Sequence, residues 1–147
     1  MSAPATRKST EPIANALHSA AIHLLRRLRK EDEQSGVSPA RLSVLSVLVF
    51  GGPMRLSELA RIEQVKPPTM TKIIAGLEAD GFVKRRADGA DARAYRVKAT
   101  ARGTTLLHAG RRRRVERLSK GLIRLPPGEV RILMQAAEII EQLVRDI

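Results

Sequence analysis

The stretch "EQVKPPTMTKIIAGLEADGFVKRRADGADARAYRV", from Glu63 to Val97, decides the fold of this 147-residue chain. Its two adjacent prolines fit only the first turn of a helix, where a missing backbone N–H costs no hydrogen bond. Apolar residues then recur at helical spacing at Met70, Ile73, Ile74 and Leu77. The stretch therefore predicts a helix that starts polar and basic and buries one apolar stripe.

A second short helix and a hairpin flank this proline-led helix. The segment "LSELARIEQ" predicts a helix around Leu56 to Ile62, and a tight turn joins it to the next helix, which makes a helix-turn-helix. Gly81 ends the second helix. The runs "FVKRRA" and "AYRVKA" then alternate in part and meet at Asp88-Gly89, a strong turn signal. A hairpin directly after the second helix predicts a winged helix-turn-helix.

The rest of the sequence predicts helices on both sides of this lobe. An amphipathic first helix is followed by the breaker "SGVSP", in which Ser38 is a cap and Pro39 a first helical residue. The segment "ARLSVLSVLVF" is apolar on nearly all sides and predicts a buried helix. After the wing, Thr100 caps a long helix, and "PPGEV" starts the last one.

The predicted fold class is mainly α with a small β-wing. We expect a flexible tail at residues 1–12, a winged helix-turn-helix lobe at 37–100, and a helical dimerisation region formed by 13–36 and 101–147. The apolar faces of the first and last helices are too wide for one side of a small monomer, so they favour a homodimer. The dimer contacts are predicted at Ile13, Leu17, Ile139, Ile140, Leu143 and Val144.

Charge favours a polyanionic partner. The net charge is +12, and residues 55–114 hold 15 of the 27 basic residues but 6 of the 15 acidic ones. A concentrated basic region suits nucleic acid, although a basic protein without such a partner remains the alternative. The aromatic residues are Phe50, Phe82 and Tyr95 alone. Single strands are usually held by stacking on aromatic rings, so double-stranded DNA is the better expectation.

Several other functions find no support in the sequence. There is no cysteine, and we find no phosphate-cradling loop and no nucleophile motif, so we expect no enzyme activity and no cofactor. The histidines His18, His23 and His108 lack the spacing of a metal site on a helix. No apolar run is long enough to span a membrane and no signal peptide is evident. We therefore expect a cytoplasmic, nucleoid-associated protein.

Taken together, "LSELA", "PPTMTKIIAGLEADGFVKRR", "DARAYRV" and "TARG" resemble the MarR family of transcriptional regulators, along nearly the whole chain. The resemblance implies an obligate homodimer with intertwined terminal helices and two winged lobes that read a near-palindrome. It also implies, in many members, a pocket between the dimer helices and the DNA lobe for a small hydrophobic or anionic effector. A repressor is the expected function; a non-sensing architectural DNA-binding protein is the alternative.

The polar start of the second helix is the predicted major-groove surface. Lysine and hydroxyl side chains can donate to base edges or phosphates, helix N-terminal amides favour phosphate, and apolar side chains can contact a thymine methyl. The predicted residues are Lys66, Pro68, Thr69, Met70, Thr71 and Lys72. Met70 also fits the buried stripe, and a merely solvated helix end is the alternative for the whole face.

The wing supplies the second predicted contact. Arg93 lies just beyond the hairpin turn, where a guanidinium could enter a narrow minor groove. Asp91 stands two residues earlier on the same strand face and could hold that guanidinium, a use of the D-x-R pair that the resemblance also implies. Lys84, Arg85 and Arg86 are assigned to phosphates; the alternatives are that one of them pairs with Asp91, or that they form a solvated strand face. The run "RRRR" at residues 111–114 is interpreted as a solvated helix with a partner in Glu116.

Overall fold

The structure, a computed structural model, describes residues 7–89 and 91–147. Within these residues the chain is mostly helical with one antiparallel hairpin, as predicted. The elements are α1 (Arg7–Arg29), a 3₁₀ helix (Lys30–Ser35), α2 (Pro39–Gly51), α3 (Leu56–Ile62), α4 (Pro67–Ala79), β1 (Val83–Asp88), β2 (Asp91–Ala99), α5 (Ala101–Leu122) and α6 (Pro127–Asp146).

The hydrophobic core lies inside the helix-turn-helix lobe, between α2, α3, α4 and the base of the hairpin. The apolar stripe of α4 is buried as predicted, and so is the inner face of α3. The buried core residues are Val44, Leu45, Leu48, Leu59, Ala60, Met70, Ile74, Leu77, Phe82, Val83 and Val97. This packing fixes the orientation of α4 and leaves its polar start on the surface.

Local signals in the sequence place most of the helix ends. Ser38 caps α2, since its Oγ accepts a hydrogen bond from the Arg41 amide at 3.4 Å, and Pro39 is the first residue of the helix. The turn between α3 and α4 contains Gln64 at φ 54°, a left-handed conformation that non-glycine residues seldom adopt. Gly81 takes φ 75° after α4, as its predicted stop position requires.

The hairpin is short and anchored at its base. Strand β1 pairs antiparallel with β2 in a register that sets Lys84 opposite Lys98 and Arg86 opposite Arg96. Gly89 has φ 66° in the turn, which agrees with the predicted Asp88-Gly89 signal. The main chain of Met54, just before α3, exchanges two hydrogen bonds with Val97, at 3.1 and 2.8 Å. The wing is thereby attached to the start of the helix-turn-helix.

One junction joins the winged lobe to α5. Thr100 caps α5 by accepting from the Gly103 amide at 3.1 Å, and the same hydroxyl donates to the Gly81 carbonyl at 2.7 Å. The Thr100 amide donates to the Phe82 carbonyl at 3.0 Å. At Gly103 the helix passes so close that an added Cβ would lie 2.2 Å from the Phe82 carbonyl oxygen. A glycine is therefore required here by space rather than by its φ.

Two predictions about the N-terminal half need correction. Helix α1 begins at Arg7, so residues 7–12 are helical rather than part of a loose tail; residues 1–6 lie outside the described part. Pro12 lies within the helix, where its missing N–H removes one backbone hydrogen bond. Helix α2 is not buried on nearly all sides, because Phe50 is 68% exposed.

The terminal helices leave wide apolar surfaces uncovered in the single chain. Helix α6 has no buried residue. Ile13 of α1 and Ile139 of α6 are each 67% exposed, and Val144 is 59% exposed. Of the other predicted dimer contacts, Leu143 is 45% exposed, whereas Leu17 and Ile140 are partly buried. Among the described residues, most of the exposed large apolar side chains thus lie on α1 and α6.

The close approach at Gly103 gives a test of the junction. We expect Gly103→Ala to lower the free energy of unfolding by about 1–3 kcal/mol, because the new methyl group meets main chain that has no room to move. Gly121→Ala, in the same helix with nothing within 4 Å of its added Cβ, is the matched control. This control should be neutral or up to about 1 kcal/mol more stable.

Chemical denaturation at one fixed protein concentration measures both variants, since the stability of an oligomer depends on concentration. Equal stabilities for the two variants would contradict a structural role for the close approach of Gly103 to Phe82.

Candidate nucleic-acid interface

The start of α4 presents the predicted polar side chains to solvent. Lys66, just before the helix, and Pro68, Thr69, Thr71 and Lys72 within it are all exposed, since none of them belongs to the buried stripe. The salt bridges found between described residues involve neither lysine. Both ammonium groups can therefore meet an anion without first breaking an ion pair. The arrangement gives a compact face of cations and hydroxyls on one side of the lobe.

The N-terminal amides of α4 are not available for phosphate, contrary to the expectation from the sequence. Pro67 and Pro68 have no N–H, and the amides of Thr69 and Met70 both donate to the Lys66 carbonyl, at 3.0 and 3.1 Å. Thr71 is constrained as well, because its hydroxyl donates to the Pro67 carbonyl at 3.0 Å. Its oxygen is left to act mainly as an acceptor.

Met70 does not belong to the exposed face. Its side chain is 0% exposed and packs in the core beside the rest of the α4 stripe. The prediction that it contacts a thymine methyl is therefore wrong, because its position in the helix turns it toward α2 and α3. Of the two interpretations that the sequence allowed, only the core one remains.

The tip of the wing places an unpaired guanidinium in solvent. Arg93 is exposed, and among the described residues its side chain takes part in none of the salt bridges. Asp91 Oδ1 accepts a hydrogen bond from the backbone amide of Arg93 at 2.9 Å. The carboxylate thus binds the main chain of Arg93. The predicted contact between Asp91 and the guanidinium of Arg93 is not formed.

Asp88 is the ionic centre of the wing, whereas the sequence alone marked it only as a turn residue. Its carboxylate accepts from Arg55 Nε and Nη2 at 2.7 Å and from Arg96 Nε at 2.9 Å. The hydrogen bonds from Arg96 and then Arg55 lower the pKa of Asp88 below its ordinary value. The bridge ties the wing to the residue before α3, so the tip is held at a fixed angle to the helix-turn-helix.

Two neighbouring arginines of β1 have different surroundings. Arg85 bonds to Glu78 of α4 at 2.9 Å, and its guanidinium lies 4.7 Å from the ring centroid of Tyr95. Arg86 is exposed and takes part in no salt bridge between described residues. It lies beside the shallow pocket under the turn that Arg96 also lines. Only Arg86 of the two is free to meet a phosphate.

The arginine run of α5 is not simply solvated. Arg113 Nε donates to the Glu31 carbonyl at 3.2 Å, and Arg114 forms an ion pair with Asp32, so both side chains hold the 3₁₀ helix. Glu116 pairs with Lys120 one turn later, at 2.9 Å, rather than with the run. The predicted partner was therefore wrong, because four consecutive helical positions face different neighbours.

A cleft lies between α1, α2 and α5. One part, about 380 Å³, is lined mainly by apolar side chains that include Leu28, Phe50 and Leu118. An adjoining part, about 250 Å³, is lined by Arg29, Arg113 and several serines. Arg113 Nη2 is buried and has no hydrogen-bond partner among the described residues. Leucines line both parts, and Asp32 lies in the adjoining part together with Arg113.

Neither a metal cluster nor a membrane span is found in the part of the chain that the structure describes. Across 7–89 and 91–147, no group of three histidine, cysteine or acidic side chains is placed to hold a metal ion. Among those residues, no helix has the length and apolarity to cross a membrane.

Known proteins of similar sequence and structure share this architecture. The sequence model of the MarR family matches residues 37–95. An HTH-type transcriptional regulator of Mycobacterium leprae is 39% identical over 132 residues, which cover 90% of this chain and 92% of that protein. The same identity and coverage are found for an HTH-type transcriptional regulator of Mycobacterium tuberculosis. Both relatives are described as regulators of transcription.

Solved structures agree with this assignment. The crystal structure of a transcriptional regulator from Thermotoga maritima has a TM-score of 0.82 and 26% identity, covering 92% of this chain and 96% of that one. A mutant of Staphylococcus aureus MepR, solved with an oligodeoxyribonucleotide, has a TM-score of 0.69 and 17% identity, covering 92% and 98%; it shows the shared fold. By sequence and by fold, this chain belongs to the MarR family of DNA-binding transcriptional regulators.

Proposed function

We propose that the protein is a repressor that binds a near-palindromic operator as a homodimer and releases it when a small molecule binds. The observation that carries the DNA-contact assignment is that the exposed lysines at the start of α4 and the exposed Arg93 at the wing tip join no salt bridge between described residues. Lys66 and Lys72 flank the exposed hydroxyls of Thr69 and Thr71 on that face. Cations supply contacts to phosphates and hydroxyls supply contacts to base edges, so this helix start carries both kinds of group.

Each side chain has a distinct proposed contact. Lys66 and Lys72 bind phosphates, because the start of α4 has no free amide to do so. Thr69 donates to a base edge, Thr71 accepts from one, and Pro68 packs against a thymine methyl. In the wing, Arg93 enters the minor groove, Asp91 holds its main chain, and Arg86 binds a phosphate. Met70 contributes only by fixing the helix from within.

Dimerisation follows from the uncovered apolar faces of α1 and α6. A second copy that covers both faces buries Ile13, Leu17, Ile139, Ile140, Leu143 and Val144, and obligate interfaces of this kind exceed about 2,000 Å². Two-fold symmetry then sets two α4 helices on one side of the duplex. Their half-sites lie about 10 bp apart, or one turn of DNA.

An effector with an apolar body and an anionic group fits the cleft between α1, α2 and α5. The apolar part near Phe50 suits an alkyl or ring system, and the buried Arg113 Nη2 lacks an acceptor that a carboxylate would supply. The cleft lies against α1, which belongs to the proposed dimer interface, and against α5, which begins at the Thr100 junction. Occupancy of the cleft can therefore change the angle of the winged lobes.

The main test separates a repressor from an architectural DNA-binding protein. DNA selected from a random pool should bind at least about a thousandfold more tightly than random DNA at the same salt concentration. Lys72→Ala should weaken binding to both and make the salt dependence shallower by about one unit for each phosphate that is no longer neutralised. Thr71→Ala should instead alter the preferred base at one position of each half-site. Equal affinities for selected and random DNA would favour the architectural function.

The wing is tested by a double-mutant cycle. Arg93→Ala should cost most affinity on operators with A·T-rich flanks, where the minor groove is narrow. Asp91→Ala should lose part of the same energy, because it frees the main chain that carries Arg93. The two effects should therefore be clearly non-additive in fluorescence anisotropy titrations. Simple additivity would show that Asp91 and Arg93 act independently.

The dimer is tested on α6. Leu143→Asp puts a charge into the proposed interface, so dimer, thermal stability and DNA binding should be lost together. Gln142→Asp adds the same side chain to a neighbouring position off the apolar face, and it should behave as the wild type. Sedimentation measures the oligomeric state. A folded Leu143→Asp monomer that still binds a full palindrome tightly would rule out the proposed assembly.

The effector site is tested with a matched pair of probes. Octanoate should raise the unfolding temperature and weaken operator binding, whereas 1-octanol, which lacks the charge, should do less of both. Arg113→Met should abolish the difference between the probes, and Arg124→Met, an exposed position after α5, should keep it. If the two probes act alike on the wild type, Arg113 is not an anion contact.

A further inference from the structure

The two faces of the wing hairpin differ sharply in charge. Paired residues of an antiparallel ribbon point to the same face, and successive residues alternate. Val83 and Val97 are buried, so they define the inner face that packs on the lobe. The opposite face carries the pairs Lys84–Lys98 and Arg86–Arg96. We call these four side chains the outer ribbon face; it contains a cation at each of its four positions.

This arrangement is unfavourable for the isolated protein. Side chains directly opposite each other in an antiparallel pair lie about 4.5–5.5 Å apart at Cβ, and like charges there destabilise the pairing. Arg96 is compensated by Asp88, and the charge of Glu58 also reaches it. Lys84, Arg86 and Lys98 are exposed and join none of the salt bridges found between described residues. Two adjacent cation pairs thus share one carboxylate that Arg55 also binds.

A polyanion removes this repulsion, and its geometry matches. The four cations form two rungs of a flat ribbon, with two residues per strand between rungs, or about 7 Å. Successive phosphates along one DNA strand are spaced similarly, so a phosphodiester backbone can neutralise both rungs at once. The face carries no aromatic side chain, which argues against single-stranded nucleic acid. Charge complementarity therefore selects a duplex backbone as the occupant.

We propose that the outer ribbon face binds the phosphate backbone of DNA that flanks the operator, beyond the groove entered by Arg93. This inference rests on the proposed operator binding and extends it. Val83 and Val97 of the inner face pack into the core of the lobe that holds α4, so the outer face points away from that core. Each protomer then grips DNA at three places: the major groove by α4, the minor groove by the wing tip, and the flanking backbone by the ribbon.

Substitutions at the lysines of the outer ribbon face should raise the stability of the protein and weaken its binding to DNA. Replacing Lys84 and Lys98 by glutamine relieves the repulsion, so the unfolding temperature should rise at low salt and the rise should vanish in about 1 M salt, where charges are screened. The same double variant should bind flanked DNA at least tenfold more weakly at about 0.1 M salt. Its salt dependence should be shallower by about two to four units per dimer.

The experiment uses two duplexes. The trimmed duplex ends just after the minor groove that Arg93 enters, and the extended duplex continues for about 10 bp more on each side. Lys84→Gln/Lys98→Gln should lose affinity on the extended duplex and match the wild type on the trimmed one. Lys120→Gln/Arg124→Gln removes the same charge about 30 Å along α5 from the wing, and it should bind both duplexes as the wild type does. Lys98→Glu, which forms a cross-strand ion pair with Lys84, should be more stable still and bind extended DNA least.

Three outcomes would overturn the inference. Unchanged affinity of the double variant on extended DNA would show that the face does not bind DNA. An equal loss on both duplexes would place the lysines inside the core operator. No rise in stability at low salt would show that the cations do not repel one another. The proposed operator contacts are tested separately from the outer ribbon face. If those contacts are wrong, Lys72→Ala and Arg93→Ala will bind the trimmed duplex as tightly as the wild type does.

Discussion

The architecture depends on the packing of the start of α5 against the main chain of Phe82. There the Thr100 hydroxyl caps α5 and also donates to the carbonyl of Gly81, just after α4. Gly103 lets α5 pass close to the Phe82 carbonyl. The end of α4, the base of the wing and the start of α5 therefore meet at one junction. A rotation of α5 cannot leave the winged lobe in place, because no flexible linker separates them.

The sequence predicted most of the elements because most had a local signal, whereas the start of α1 and the 3₁₀ helix had none. Pro39, Pro67 and Thr100 started helices where a missing donor or a hydroxyl is favourable, and Asp88-Gly89 turned the hairpin. Met70 and the arginine run show where local reasoning fails. Which face of a helix is covered, and by what, depends on segments distant in the chain, such as Glu31 and Asp32 for Arg113 and Arg114.

The ionic contacts divide the many cations of this chain into two groups. One group has structural partners: Arg41 with Asp80, Arg85 with Glu78, and the α5 arginines with the 3₁₀ helix. The other group, with Lys66, Lys72, Arg86 and Arg93, is exposed without a salt bridge in the described residues. Net charge alone could not separate the groups, whereas the partners do. These four cations lie at α4 and on the wing, and Arg111 and Arg112 of α5 likewise join no salt bridge between described residues.

The salt bridges of Asp88 with Arg55 and Arg96 also determine how the wing responds to a change in pH. A carboxylate whose pKa is lowered in the folded state stabilises that state fully at pH values above its ordinary pKa of about 4. That contribution is lost only as the pH falls through the lowered value. Arginine stays protonated throughout this range. The wing therefore keeps the same orientation at mildly acidic pH as at neutral pH. A change in pH within that range does not alter the salt bridge of Asp88.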